Sequence, residues 1–330
     1  MNISAVVDSS ILRKGLMVTA GSKMLESFVA PFSATVVDKL EVAKVEIAGV
    51  VDTGEFGAGG LFGELQTVLT DAVKGVDVAL CNDYTGAISR AAAAQGLYYI
   101  QPTYGTVSRY GLIPSVASMD QVGILCKCPE VGFKVLSIIS GYDPKDGIME
   151  NATEHVAAGD TFLFHVSVQN QASPQRMAPP ERGIKKYPLQ QRDFEYSKIL
   201  PQIMQILCCA ELSNNISRYD GIKFGHRAKG YNSLRELYTK SRTDAFGEDV
   251  KLAAIIGAMV LSQENYTRYY DKAMRLRRMI KDSLDFDEYD VIVTDCPVLS
   301  RLCGLPSLTT PEEVYIANAG REDVLEAIAI

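Results

Sequence analysis

Apolar positions follow two different periods along the first hundred residues. Ala34, Val37, Leu40 and Val45 recur at helical spacing, so residues 21–44 are read as a short helix, a proline-containing turn and a second helix. Residues 45–52 (VEIAGVVD) then form a continuous apolar, β-branched run, the pattern of a buried strand. A glycine-rich loop follows at 54–63, a helix is predicted over 64–74, and residues 76–83 (VDVALCND) predict a second buried strand. After a turn, AISRAAAAQGL predicts an alanine-rich helix that closes at Gly96. This alternation of helix and strand predicts an α/β sheet with helices on its faces.

The second half is richer in helices. Residues 131–141 form an amphipathic helix closed by glycine, and 161–169 (TFLFHVSVQ) a strand. Residues 170–193 are polar and proline-rich, have little to bury, and predict an exposed loop. Helices are expected over 195–214 and 231–240, with one long helix over 248–284 that packs through Met259, Tyr266 and Tyr270. A last buried strand is expected at 289–295. The whole chain, 1–330, is read as a single domain.

Composition narrows the function classes. Of 330 residues, 47% are hydrophobic and 22% charged, enough for a substantial soluble core. A net charge of −7 argues against a nucleic-acid or anionic-membrane surface. The densest cationic run, RLRRMIK at 275–281, reads as a solvated helix face. No basic segment precedes a long apolar one at the N-terminus, and no stretch of about 18 apolar residues occurs, so a cytoplasmic protein without a membrane span is expected. Seven cysteines are an odd number without a regular framework, and reduced thiols are the simplest reading. Neither Cys126/Cys128 nor Cys208/Cys209 has zinc-site spacing, and His155, His165 and His226 are scattered. No metal and no cofactor is expected.

One long stretch changes the picture. Residues 102–123 (PTYGTVSRYGLIPSVASMDQVG) resemble the amidase signature family, and within it the branch of glutamyl-tRNA(Gln) amidotransferase A subunits. Residues 22–40, 140–147, 213–228 and 243–273 continue the likeness in register, and it covers about two thirds of the chain. The resemblance implies an α/β/α sandwich with a mixed central sheet, here N-terminally truncated and reduced. It also implies an amide hydrolase with a Ser–cis-Ser–Lys triad. One serine attacks the amide carbonyl, a second relays the proton, a neutral lysine is the base, and backbone N–H groups form an oxyanion hole.

This chain departs from that pattern at each triad position. The family motif D-T-G-G-S-I-R-Q aligns with residues 83–90, which puts Ala87 at the nucleophile and Thr85 in place of a glycine. The cis-serine of G-G-S-S-G-G-S lies 24 positions earlier, at Gly63. The lysine of I-K-D-N-I, counted back from the pair Lys14-Gly15, falls on Asp8 or Val7. Arg218, in ISRYDG, matches an arginine near the substrate carboxylate, a role that suits a planar fork; a fold-supporting contact is the other reading. The segment that would carry the family's amino-group-binding aspartate is missing, although GLPSLTTP (304–311) resembles G-L-P-A-I-S-V-P.

The expectation is therefore a catalytically inactive member of the family, serving as a binding, regulatory or accessory subunit. Thr85, Gly86, Ser89 and Arg218 are its ligand-binding candidates. Partners would be amidotransferase B- or C-like subunits or an intact amidase paralogue. The alternative is a glutaminase-type amide hydrolase or amidotransferase with relocated chemistry. Ser89, Thr85 and Cys81 flank the old nucleophile, and His226 would be the base. Ser89 lies two residues past Ala87 in a predicted helix, however, and so points elsewhere.

Overall fold

The computed structural model describes residues 3–149 and 194–330. The expected strand at 161–169, the proline-rich loop at 170–193, His155 and His165 lie outside the described residues.

Eight short strands make one mixed sheet: β1 (Ser4–Asp8), β2 (Glu46–Val51), β3 (Val78–Asn82), β4 (Tyr98–Gln101), β5 (Val122–Cys126), β6 (Val291–Thr294), β7 (Ser307–Thr309) and β8 (Val314–Ala317). Their spatial order is β2-β1-β3-β5-β4-β7-β8-β6. Strands β2, β1 and β3 are parallel, and every other pairing is antiparallel. The three strands expected from apolar runs are present, and two of them, β2 and β6, are the edges of the sheet.

Central strands are buried on both faces, which explains why they read as unbroken apolar runs. Residues alternate between the faces with period two. Val7, Leu80, Ile100 and Ile124 point to one side, where α1 (Thr35–Val42), α4 (Pro129–Ile139) and α10 (Glu322–Ala329) cover them. Val6, Ala79, Cys81, Tyr99 and Leu125 point to the other, toward α2 (Val68–Ala72) and α3 (Ala87–Ala94). That second face continues into a larger core built on α5 (Leu200–Ile216), α7 (Glu248–Leu261) and α9 (Val298–Cys303). A further helix, α6 (Leu234–Ala245), starts at Ser233, whose side chain accepts from the Glu236 N–H.

The long helix expected over 248–284 is two helices, α7 and α8 (Lys272–Asp282). Ser262 takes an extended backbone (φ −63°, ψ 150°), and its hydroxyl donates to Met259 O. Asn265 bonds back to the Ser262 hydroxyl and carbonyl. Short polar side chains here offer the backbone an alternative to helix, and the helix stops. A π-helical turn at Thr267–Asp271 then leads into α8. The packing face differs too. Met259 and Tyr266 are exposed, at 47% and 45%, because α7 buries Val250, Ala253, Gly257 and Val260 against α5 instead. Of the three expected packing residues, only Tyr270 leans on the core.

The cationic run lies on α8. Arg275 and Arg278 are exposed and pair one turn away with Asp271 and Asp282. Arg277 turns inward instead, donating to Leu302 O at 2.6 Å and to Ser118 Oγ at 3.0 Å.

A candidate binding site at the start of helix α3

The chain leaves β3 at Asn82 and turns through 83–86 into α3. Asp83 organises the turn. Its carboxylate accepts from the N–H groups of Ile88 (3.0 Å) and Ser89 (2.8 Å), donors that a helix start otherwise leaves without partners. The same carboxylate pairs with Arg301 of α9 at 2.7 Å, and both side chains are buried, at 0% and 1% exposure. Arg301 also donates from Nε to Asp83 O, from Nη1 to Pro297 O and from Nη2 to Ser89 Oγ. A buried ion pair persists when its remaining donors and acceptors are also satisfied.

That network fixes Ser89. Its hydroxyl donates to Gly86 O at 3.1 Å, accepts from Arg301 at 2.9 Å, and the residue is 0% exposed. Ser89 is thus part of the packing of the turn and lines neither of the adjoining cavities, contrary to its expected place among the ligand contacts. None of the other relocated candidates hydrogen-bonds to it among the described residues. The His226 ring stands 3.0 Å from Glu26, and burial pushes the Cys81 thiol well above its usual range.

Ala87 opens α3 and is fully buried. Its N–H donates to Thr85 Oγ1 at 3.3 Å. The segment Glu55–Phe62 presses on this point through Gly60: a Cβ there would stand 2.9 Å from the Ala87 methyl and 2.2 Å from Thr85 Oγ1. Only bare backbone fits. Gly63, three residues on, has open space where a side chain would be and lines the same cavity as Thr85. Gly86 has φ +76° and packs on Pro297.

Asp8 occupies a separate corner. It ends β1 at 2% exposure and accepts from Ser10 N–H (3.0 Å), Ser10 Oγ (2.9 Å) and Thr53 Oγ1 (3.1 Å). Burial outweighs these bonds and raises its carboxyl above the ordinary aspartate range. The adjoining cavity measures about 10 Å³, room for one water at most. Tyr84, 2% exposed, lines it and donates to Phe56 O at 2.7 Å.

A second cavity, of about 320 Å³, opens between segment 60–63, α3, α5 and α9. Thr85 and Gly63 are the only expected site residues on its described wall. Arg218 is elsewhere: it is exposed, and its guanidinium bonds to the carbonyl and the side-chain oxygen of Asn215, at 2.8 and 2.7 Å.

The comparisons with known proteins settle what kind of scaffold this is. The Amidase family model matches residues 72–174 and 184–316. The glutamyl-tRNA(Gln) amidotransferase A subunit of Lachnoclostridium phytofermentans is 31% identical, the match covering 96% of this chain and 71% of that protein. The protein of the same name from Wolinella succinogenes is 32% identical over 96% of this chain and 78% of its own length. The chain belongs to the amidase signature family. Solved structures agree on the fold. The protein of that name from Thermotoga maritima superposes with a TM-score of 0.67 at 21% identity, covering 99% of this chain and 82% of that one. The peptide amidase PAM, in complex with chymostatin, gives 0.75 at 18% identity over 99% of this chain and 82% of its own. The sheet with helices on both faces is thus the amidase-signature architecture.

Sequence reasoning missed three residues of this candidate site: Arg301, Arg90 and Gly60. Arg301 carried a signal, since a lone arginine inside the apolar run VLSRLCGL has to find a buried partner. Arg90 and Gly60 carried none, because their roles depend on elements distant in the chain. Among the described residues, no group of three or more His, Cys, Asp or Glu side chains could hold a metal ion. No described helix is long and apolar enough to cross a membrane.

Proposed function

We propose that this chain is a catalytically inactive amidase-signature protein that acts by binding, in a regulatory or accessory role within an amidotransferase-like assembly. One observation carries the reading. The residue aligned with the nucleophile is Ala87, a sealed methyl group, and the next hydroxyl along the chain, Ser89, is locked between Arg301 and Gly86 O. A covalent path needs an activated nucleophile within reach of a base. Asp8, at the position aligned with the lysine, is a carboxylate facing a cavity of about 10 Å³. The two bacterial relatives are subunits of an amidotransferase by name, which makes B- or C-like subunits or an intact amidase paralogue the natural partners.

The test has two arms. The purified protein is expected to release no ammonia from glutamine, asparagine or simple amides, and a fluorophosphonate probe is expected to leave peptides around Ala87 unlabelled. Turnover that Ser89→Ala abolishes, with stoichiometric labelling of Ser89, would restore the enzyme reading. In the second arm, the chain is drawn from native cells and its companions are identified by mass spectrometry. Recovery of an intact amidase or of B- or C-like subunits is the expected result, and the chain alone is the contrary one.

A further inference from the structure

The larger cavity is bounded by a cation that the described residues leave short of partners. Arg90, in the first turn of α3, lines it and is half-buried. Among the described residues its guanidinium makes one hydrogen bond, from Nη1 to Thr85 O at 3.3 Å. A guanidinium has five N–H donors in a rigid fork and stays charged in proteins.

The neighbouring charges do not balance it. Asp83 is the carboxylate in range, but both its oxygens already serve Arg301, Ile88 N–H and Ser89 N–H. Arg301 adds a second positive charge to the same locality. Cys296 shares the cavity wall, yet burial pushes its thiol up, so it supplies no anion near neutrality. Asp295 also stands on this wall and is exposed, and among the described residues no hydrogen bond or ion pair joins it to Arg90. Among the described residues Arg90 thus has no ion-pair partner at the wall of a space of about 320 Å³.

The rest of the lining fits one kind of guest. Beside Arg90, Thr85 Oγ1 accepts from Ala87 N–H, and its own hydrogen has no acceptor among the described residues. Leu61, Met204, Pro201 and Val298 supply an apolar wall. A concave, mostly apolar site with a few convergent polar groups is the usual form of a small-molecule pocket. Charge-assisted, two-point hydrogen bonding is how arginine reads carboxylates.

We propose that this cavity binds a small organic carboxylate. Its two oxygens meet the Arg90 fork and the Thr85 hydroxyl, and its apolar body lies along Leu61, Met204 and Val298. The site deepens the binding function proposed above and rests on it only in part. Ammonia release and partner recovery are read in separate assays, so either reading can fail while the other stands.

Phenylacetate, phenylacetamide and phenylethylammonium, which share one apolar body and differ in charge, are the probes. By isothermal calorimetry on the full chain, phenylacetate is expected to bind with a Kd on the order of 1 mM. Phenylacetamide is expected to be at least about tenfold weaker and the ammonium undetectable, because neither offers the fork an anion. Arg90→Met should abolish phenylacetate binding, and Arg90→Lys should keep part of it, since a lysine retains the charge without the fork. If Arg90→Met fails to fold, Leu61→Trp decides: it fills the cavity from a half-buried position and should abolish binding. The proposal is overturned by no saturable heat from phenylacetate up to about 20 mM. Equal affinity for acid and amide, or unchanged affinity in a folded Arg90→Met or Leu61→Trp variant, overturns it as well.

Discussion

The Asp8 corner and the Arg90 corner adjoin two of the positions at which the motif alignment leads us to expect catalytic groups, and they have opposite characters. At Asp8 the polar group is closed in: three hydrogen bonds reach the carboxylate, Tyr84 walls the space, and about 10 Å³ is left. At Arg90 the charge has one hydrogen bond among the described residues and faces about 320 Å³. The two corners are therefore not packed alike. Where the local groups satisfy each other the space is nearly filled; where a cation has no ion-pair partner among the described residues the space is open. Between the two corners lies the Asp83–Arg301 pair, which holds the turn that separates them.

That pair gives the largest test of the contrast. Arg301→Met leaves Asp83 buried without its cation, and breaking a buried pair from one side costs about 3–5 kcal/mol. Urea unfolding should show that loss, and Arg90→Met, whose cation has no ion-pair partner among the described residues, should show far less. Equal losses would mean that the two arginines play the same structural role. Next in size is Tyr84→Phe. It removes the donor to Phe56 O inside the closed corner and leaves a buried carbonyl unmatched, at a cost of about 1–3 kcal/mol. A smaller loss would mean that water enters and that the corner is less closed than its geometry implies.

How much of this was legible depended on the distance over which each feature is determined. Strands β2, β3 and β6 could be read because each lies in an apolar, β-branched run of its own, although β6 itself is only four residues long. Strands β4 (YYIQ), β7 (SLT) and β8 (VYIA) are three or four residues long and exist through pairing with chain more than a hundred residues away or across a turn. No local period marks them. Strands β1 and β5 are longer, but they too were set in place by neighbours. The helix break at Ser262 was written in the Ser/Asn chemistry and hidden by a helical pattern that continues past it. At the site, the methyl group at position 87 was visible directly. That Ser89 is sealed was not, because its lock, Arg301, comes from 212 residues away. The motif count points to Gly63 at the relay position; that Gly60 lies against Ala87 and Thr85 depends on how the segment Glu55–Phe62 packs on the turn, which no local pattern marks.

A smaller effect distinguishes the closed corner by its pH dependence. The folded-state pKa of Asp8 is raised by burial, so the native state holds a proton that the unfolded chain releases near the ordinary aspartate value of about 3.9. Stability linked to Asp8 is therefore greatest at low pH and falls as pH rises through the window from the unfolded to the raised folded pKa. Asp8→Asn removes that decline. Its carbonyl oxygen can still accept from the Ser10 N–H and the Thr53 hydroxyl, and the Ser10 hydroxyl can turn to accept from the new amide. Urea midpoints measured from about pH 4 to about pH 8 should show the variant gaining on the parent as pH rises. Asp120, also raised by burial, is common to both proteins, so the difference between them reports Asp8. A difference that shrinks with pH would mean that the hydrogen bonds to the carboxylate outweigh its desolvation.

The smallest expected effect belongs to Arg218, and it sharpens the contrast from outside. By its motif this arginine is the carboxylate reader; by its place in the structure it is an exposed residue that closes the end of α5 on Asn215. Asn215 has a second anchor, donating to Ser115 O at 3.0 Å, so it keeps its position without Arg218. Arg218→Ala should then shift stability by no more than about 0.5 kcal/mol, as for surface changes that break no buried network. It should also leave phenylacetate affinity within about twofold of the parent, whereas Arg90→Met removes binding, a loss of at least about tenfold or 1.4 kcal/mol. If instead Arg218→Ala abolished binding and Arg90→Met did not, the carboxylate would be read where the family motif places it. The open corner at Arg90 would then be a space without a guest.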